Sequence, residues 1–360
     1  MGDRLNPRAR RGLALIGVAG LLVAVAALYW LRPPTAPVPA NTPPLPADVT
    51  DWQFSDRDHG WVLLNSQTDP IGRLFATGDG GAHWRALASL GNVQAFTFHF
   101  FDARAGAVQV RDAAGRSGLL YTADGGQGWR RAEVPPVQFA PGEITLAGPD
   151  HAYLFAVDGR YASIDGARSW QPLAANGLPE FGRLLAFHDA LEGWAVAVGA
   201  IYRTRDAGQN WSRVALPLPI GSAVITMVFA GPSAMLVAGD MTRKSVLPAV
   251  YPSPDGGQTW EAPRPALPDL PTVDQASIPA FVDHDHWFAR GATILWSTAD
   301  GGQNWTSLAT RRPGGLQFGE VRFTSTTDGW SLTYGQGGPV LLRTTDGGFQ
   351  WAAVKVPRLG

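Results

Sequence analysis

Eight residues recur seven times along this 360-residue chain in the pattern Ser/Thr-x-Asp-x-Gly-x-x-Trp, with small departures. The copies are TGDGGAHW, TADGGQGW, SIDGARSW, TRDAGQNW, SPDGGQTW, TADGGQNW and TTDGGFQW. Their aspartates are Asp79, Asp124, Asp165, Asp206, Asp255, Asp300 and Asp346, separated by 45, 41, 41, 49, 45 and 46 residues. Their closing tryptophans are Trp84, Trp129, Trp170, Trp211, Trp260, Trp305 and Trp351. A period near 45 residues matches one four-stranded blade of a β-propeller, so the repeat predicts an all-β, seven-bladed ring over residues 47–360. Forty-three glycines, 29 prolines and only 16% charged residues suit short strands joined by tight turns.

Each blade reads as four strands with turn residues between them. In the last repeat the first strand falls within GLQFGEVRFTS, the second is Gly329 to Tyr334, the third Pro339 to Thr344 and the fourth Trp351 to Val356. The first repeat gives Trp52 to Phe54, Gly60 to Leu64, Gly72 to Ala76 and Trp84 to Leu87 in the same order. The box then spans the hairpin between third and fourth strands. There the aspartate accepts backbone N–H groups, glycine supplies φ > 0, the hydroxyl adds a local bond and the tryptophan buries a ring. Asp206-Ala207-Gly208 lacks the first glycine and Asp165-Gly166-Ala167 the second. A further signature opens the second strand in HGWVLL, EGWAVAVG and DGWSLT. Ring closure is open at this level: blade one packs on blade seven, or Leu45 to Val49 supplies an extra strand.

The N-terminus sets the expected location. Residues 1–11 form a basic segment with Arg4, Arg8, Arg10 and Arg11, and residues 12–31 are an uncharged apolar run long enough to cross about 30 Å of hydrocarbon as a transmembrane helix. The positive-inside rule places the first segment in the cytoplasm and the propeller outside, periplasmic or extracellular. Tyr29 and Trp30 stand where an interfacial anchor belongs. The run is longer than a signal peptide's apolar region and Val38-Pro39-Ala40 is a poor small-x-small cleavage site, so the run is expected to be retained. Seven of residues 33–46 are proline, which makes residues 32–46 an extended linker. The tail carries a charge of about +4, leaving the propeller near −5, a balance that excludes a nucleic-acid partner. There is no cysteine, hence no disulfide and no thiolate metal site.

The Asp-box is the bacterial neuraminidase repeat of sialidases, sortilin-type receptors and bacterial propellers. Seven boxes combined with the Gly-Trp strand signature resemble the photosystem II stability and assembly factor family over residues 47 to 357. That resemblance implies a seven-bladed, translocated, non-enzymatic propeller. It also implies a protein partner, with a membrane-associated complex as its setting.

One box aspartate per blade distributes the carboxylates around a ring, where they cannot converge on one ion or substrate. The tyrosines are no better placed for sialidase chemistry. Tyr121, Tyr161, Tyr202 and Tyr251 fall on third strands, and Tyr153 and Tyr334 on second strands. Glycoside hydrolysis and a glycan- or ligand-binding receptor domain remain the alternatives. Asp283-His284-Asp285-His286 is read as a solvated turn, not a metal site, and no metal or cofactor is expected. Partner-binding residues are sought in the longer loops, at Arg243 and Lys244 in blade five and Arg311 and Arg312 between blades six and seven.

Overall fold

The computed structural model describes residues 48–65, 72–135, 137, 144–156, 158–180, 182–197, 199–216, 218, 222–239, 249–265, 278–291, 294–335 and 338–357. The expected basic segment, transmembrane helix and linker lie outside them, as do Arg243 and Lys244. The described chain forms seven four-stranded antiparallel sheets, each built of four consecutive strands in simple order. The innermost strands of blades one to seven are Asp48–Phe54, Val93–Phe100, Ile144–Leu146, Arg183–Phe187, Ala223–Ala230, Ala280–Phe281 and Glu320–Phe323. Because Asp48–Phe54 is itself the inner strand of blade one, the ring closes by packing blade one on blade seven.

Expected strands and observed ones agree closely in blades one and seven. Blade one has Gly60–Asn65, Arg73–Thr77 and Arg85–Ala86 as its outer three strands, and blade seven has Gly329–Gly335, Gly338–Thr344 and Ala352–Val354. The differences sit at ends: a 3₁₀ turn at Pro313–Gly315 delays the first strand of blade seven to Glu320. Arg264–Pro265 forms the fourth strand of blade five, where Pro265 pairs with Ala249. A proline at an outer edge needs no ladder N–H, so it is tolerated there.

Burial follows position in the blade. Second strands are covered on both faces by adjacent blades and read as apolar runs: in Gly60–Asn65 the first five residues are buried, and in Ser233–Gly239 the first six. Fourth strands are short, and Arg85–Ala86 is exposed, a charged edge that discourages pairing with other chains. The hydrophobic core is therefore divided among seams: Trp61 and Leu63 of blade one share a cluster with Ala95, Phe98 and Phe100 of blade two.

The seams explain the Gly-Trp signature. Trp330 of blade seven stacks on Phe54 of blade one at 4.0 Å, Trp61 on Phe100 at 4.3 Å, Tyr153 on Phe187 at 3.8 Å and Phe288 on Phe323 at 3.6 Å. Phe54, Phe100, Phe187 and Phe323 each end an innermost strand and lie over the glycine opening the second strand of their own blade. A Cβ on Gly106, Gly193 or Gly329 would sit within 2.6 Å of that ring, and one on Gly60 would collide with Phe54. The edge of the same ring meets the box tryptophan: Trp84, Trp129, Trp211 and Trp351 are T-shaped to Phe54, Phe100, Phe187 and Phe323. Glycine, phenylalanine and two large rings thus form one clamp across a seam, and such aromatic contacts add about 0.5–1.5 kcal/mol each beyond area burial.

Candidate protein-binding site

The box geometry is the same seven times. The hydroxyl of Thr77 donates to Asp79 Oδ1 at 2.8 Å and accepts the N–H of Gly81 at 2.9 Å, while Asp79 Oδ1 accepts the N–H of His83 at 2.9 Å. Thr298, Asp300, Gly302 and Asn304 repeat the set at 2.8, 2.9 and 2.8 Å. The seventh box position adds a bond the consensus leaves blank. Ser169 and Thr259 hydroxyls and Asn210 and Asn304 amides donate to the second carboxylate oxygen at 2.7, 2.6, 2.8 and 2.8 Å. The N–H of Asn304, then its side-chain amide, hold the Asp300 carboxyl down at about 2. Where a glycine is missing, alanine takes its conformation, with Ala207 at φ 58° and Ala167 at φ 56°. Every box aspartate is therefore occupied by its own turn.

Boxes also anchor blades to one another. Six box backbones donate to the turn between first and second strands of the same blade, as Gly80 N–H does to Asp58 O at 2.7 Å, which puts both turns on one face of the ring. Arginines of the preceding blade reach the box carbonyls: Arg343 to Asp79 O, Arg85 to Gly125 O, Arg130 to Gly166 O, and Arg264 to Asp300 O and Gly301 O. Several of the chain's 27 arginines are thus seam fasteners, a role invisible when each repeat is read alone.

Arg311 and Arg312 occupy different environments. The backbone of Arg311 forms a parallel bridge with Gln350 in the seventh box, its N–H donating to Phe349 O at 2.7 Å, and its side chain is exposed. Arg312 is half-buried, its guanidinium 4.5 Å from the Phe318 ring centre, and burial lowers its pKa. Arg311 is the one of this pair displayed to solvent.

The Asp283 to His286 segment is the turn between first and second strands of blade six. Asp283 Oδ1 accepts the N–H groups of Asp285 at 2.9 Å and His286 at 2.8 Å, as Asp56 does from Asp58 and His59. His284 bridges Glu261 at 2.9 Å and Asp285 at 2.6 Å. Among the described residues no group of three or more acidic, histidine or cysteine side chains is arranged to hold a metal.

A cavity of about 510 Å³ opens on the inner wall where blades five, six and seven meet. Its origin is Pro279, which cannot donate to a ladder, so the innermost strand of blade six is reduced to Ala280–Phe281 against eight residues in Ala223–Ala230. Thr226 and Val228 form one wall, Ile278 and Phe281 another, and Arg290, Glu320 and Arg322 supply charge. Arg322 donates to Glu320 at 2.8 Å, lies 4.4 Å over the Trp52 ring and bonds Trp52 O across the seam to blade one. The lining holds one carboxylate and no tyrosine, whereas glycoside hydrolysis needs a pair of acids or an equivalent nucleophile. Tyr153, instead of facing this space, donates its hydroxyl to Ala190 O at 2.8 Å.

Comparison with known proteins connects this ring to one family. Residues 39–178 match the family described as photosynthesis system II assembly factor YCF48. The photosystem II assembly lipoprotein Ycf48 of Synechococcus sp. (strain CC9902) is 27% identical over a 307-residue alignment covering 69% of this chain and 85% of that protein. In sequence the chain is similar to the YCF48 family. Among solved structures, a YCF48 bound to D1 peptide shares the fold at a TM-score of 0.54 and 21% identity, covering 83% of this chain and 93% of that one. YCF48 from Cyanidioschyzon merolae gives 0.52 and 17%, with 85% and 97% covered. The seven-bladed YCF48-like architecture is thus reached independently from the repeat, the sheet topology and the relatives.

Proposed function

We propose that this YCF48-like propeller is a non-enzymatic binding scaffold. It is tethered outside the cytoplasm by residues 12–31, and it engages a protein segment during assembly or stabilisation of a membrane-associated complex of the photosystem II kind. The homology to a photosystem II assembly lipoprotein, spanning most of both chains, carries this reading. A peptide-bound YCF48 of the same fold supports a protein as the partner. The construction of the ring agrees: the shared box carboxylates are consumed by turn bonding, which leaves the non-repeated surfaces for recognition. Arg311, with Arg243 and Lys244, is assigned to the partner-facing set.

Crosslinking followed by pulldown from native membranes tests it. The full chain is expected to recover one or a few membrane-complex subunits, and neutralising Arg243, Lys244 and Arg311 together is expected to reduce that recovery. Recovery of no protein by the full chain overturns the scaffold reading; unchanged recovery by the neutralised chain removes only the basic residues from it. Carbonate extraction and protease protection check the tether, which predicts a membrane-retained chain with an accessible propeller on the extracytoplasmic side.

A further inference from the structure

Blade one carries a combination of residues found in no other blade. Its register pairs Trp61 with Ala76 and Ala76 with Arg85, which sets these side chains of the second, third and fourth strands on one side of the sheet. Two residues further toward the box face, the same row reads His59, Gly78 and His83. All six line a cleft of about 430 Å³ that blade two bounds with Ala103 and Gly125. No other box has glycine at its second position or histidine at its seventh, so only here do two imidazoles flank a missing side chain. A Cβ built on Gly78 would meet nothing within 4 Å, which leaves open space between them.

We propose that His59 and His83 hold a divalent transition-metal ion of the zinc class on blade one. Each ring is already oriented: His59 Nδ1 lies 3.0 Å from Asp56 Oδ2 and His83 Nδ1 2.7 Å from Asp79 Oδ2. A carboxylate at that distance fixes the proton on Nδ1 and leaves the lone pair on Nε2, the arrangement that backs metal-binding histidines. Neither Nε2 makes a bond among the described residues, and the side chains are 45% and 91% exposed. Two inter-strand spacings of about 4.8 Å set the two backbones roughly 10 Å apart, a gap that facing imidazoles span with one ion about 2.0–2.1 Å from each Nε2. Imidazole ligands select zinc, copper and nickel over magnesium and calcium, which prefer oxygen. A pair is fewer than the three protein ligands of a catalytic zinc site, so water completes the coordination and the ion stays open to solvent. The box role of Asp79 is kept, since its carboxylate supports a ligand instead of binding the ion.

The test is calorimetric titration of the untagged, detergent-solubilised full chain with Zn²⁺, where the absence of cysteine removes thiolate competitors. The variants are taken from the chain's own repeats so that each fits the blade. His59→Ala copies Ala105 of blade two, Gly78→Ile copies Ile164 of blade three, and His83→Asn copies the boxes of blades four and six, whose asparagines keep the bond to the second carboxylate oxygen. The wild-type chain is expected to take up one zinc ion. Affinity is expected to fall at least tenfold in each histidine variant and several-fold in Gly78→Ile, while His151→Ala, at the matching turn of blade three, leaves it unchanged. Excess Mg²⁺ is expected not to compete. Metal-free unfolding midpoints should match the wild type; should His83→Asn fail, His83→Ser, from the box of blade three, is read in its place. No stoichiometric uptake, or uptake undiminished in both histidine variants, overturns the site. Neither result bears on the scaffold reading, which the membrane pulldown decides.

Discussion

Between blades seven and one, Phe54 lies flat on Trp330 at 4.0 Å, edge-on to Trp84, and directly over Gly60. Between blades five and six the residue corresponding to Trp330 is Ala234, and in place of the stack Met235, Val237 and Val250 pack on Trp287 and Ala289. Arg264 holds the carbonyls of Asp300 and Gly301 and pairs with Glu261, which also meets His284. The first seam is a packed aromatic clamp that excludes water and tolerates little movement. The second packs aliphatic side chains on Trp287 without that clamp and borders the cavity on the inner wall. A ring of seven equivalent repeats therefore has unequal joints, and the cavity lies beside one that lacks the aromatic clamp.

The largest expected effect comes from breaking the clamp. Phe54→Ala or Trp330→Ala should cost about 3–5 kcal/mol in chemical denaturation, and the double variant less than the sum, because both remove one stack. Ala234→Gly, at the seam without the clamp, should cost only about 1 kcal/mol, and equal losses at the two seams would abolish the distinction. Next, Gly329→Ala should destabilise by about 1–3 kcal/mol, since its Cβ would drive Phe323 off both Phe288 and Trp351. Arg264→Gln should cost about 1–2 kcal/mol and raise amide exchange in blades five and six with blade one unaffected.

Acid provides a graded comparison. The folded-state pKa of Asp300 is depressed to about 2, so its contribution is complete above the unfolded carboxylate pKa of about 4 and is lost as pH falls toward 2. Thermal midpoints should decline over that window, and Asp300→Asn should flatten the decline. The smallest expected change is a gain: Ala207→Gly relieves a left-handed alanine and should add about 0.5 kcal/mol, measurable as a small rise in midpoint.

Much of the ring was legible because its cause is local. A Ser/Thr, an aspartate and a glycine within five residues make their bonds inside one turn, so the repeat revealed blade number, strand order and the structural role of Asp79 to Asp346. The purpose of the Gly-Trp pair was not legible, because Gly60 serves Phe54 of its own blade while the ring stacked on Phe54 is Trp330, 276 residues away. The arginine fasteners were hidden likewise, each spending its donors on a neighbouring blade. Position seven of the box looked unconstrained, although its polar residues in six of seven copies, His83, Ser169, Asn210, Thr259, Asn304 and Gln350, were a usable signal. Sequence pointed to Arg311 and Arg312 as an equivalent pair; packing over Phe318 separates them. The cavity depended on what Pro279 does to a strand among three blades, and no single repeat contains that information.

Closure without an exchanged strand has a consequence for how the ring is made. Six joints link repeats adjacent in the chain, so each can form as soon as its second blade has left the ribosome. The seventh joins Trp52 to Arg322, 270 positions apart, and must wait for the final repeat. Until then the apolar faces of blade one and of the newest blade stand open at the two ends of an arc, the interval in which the chain is most vulnerable to sticking to its neighbours.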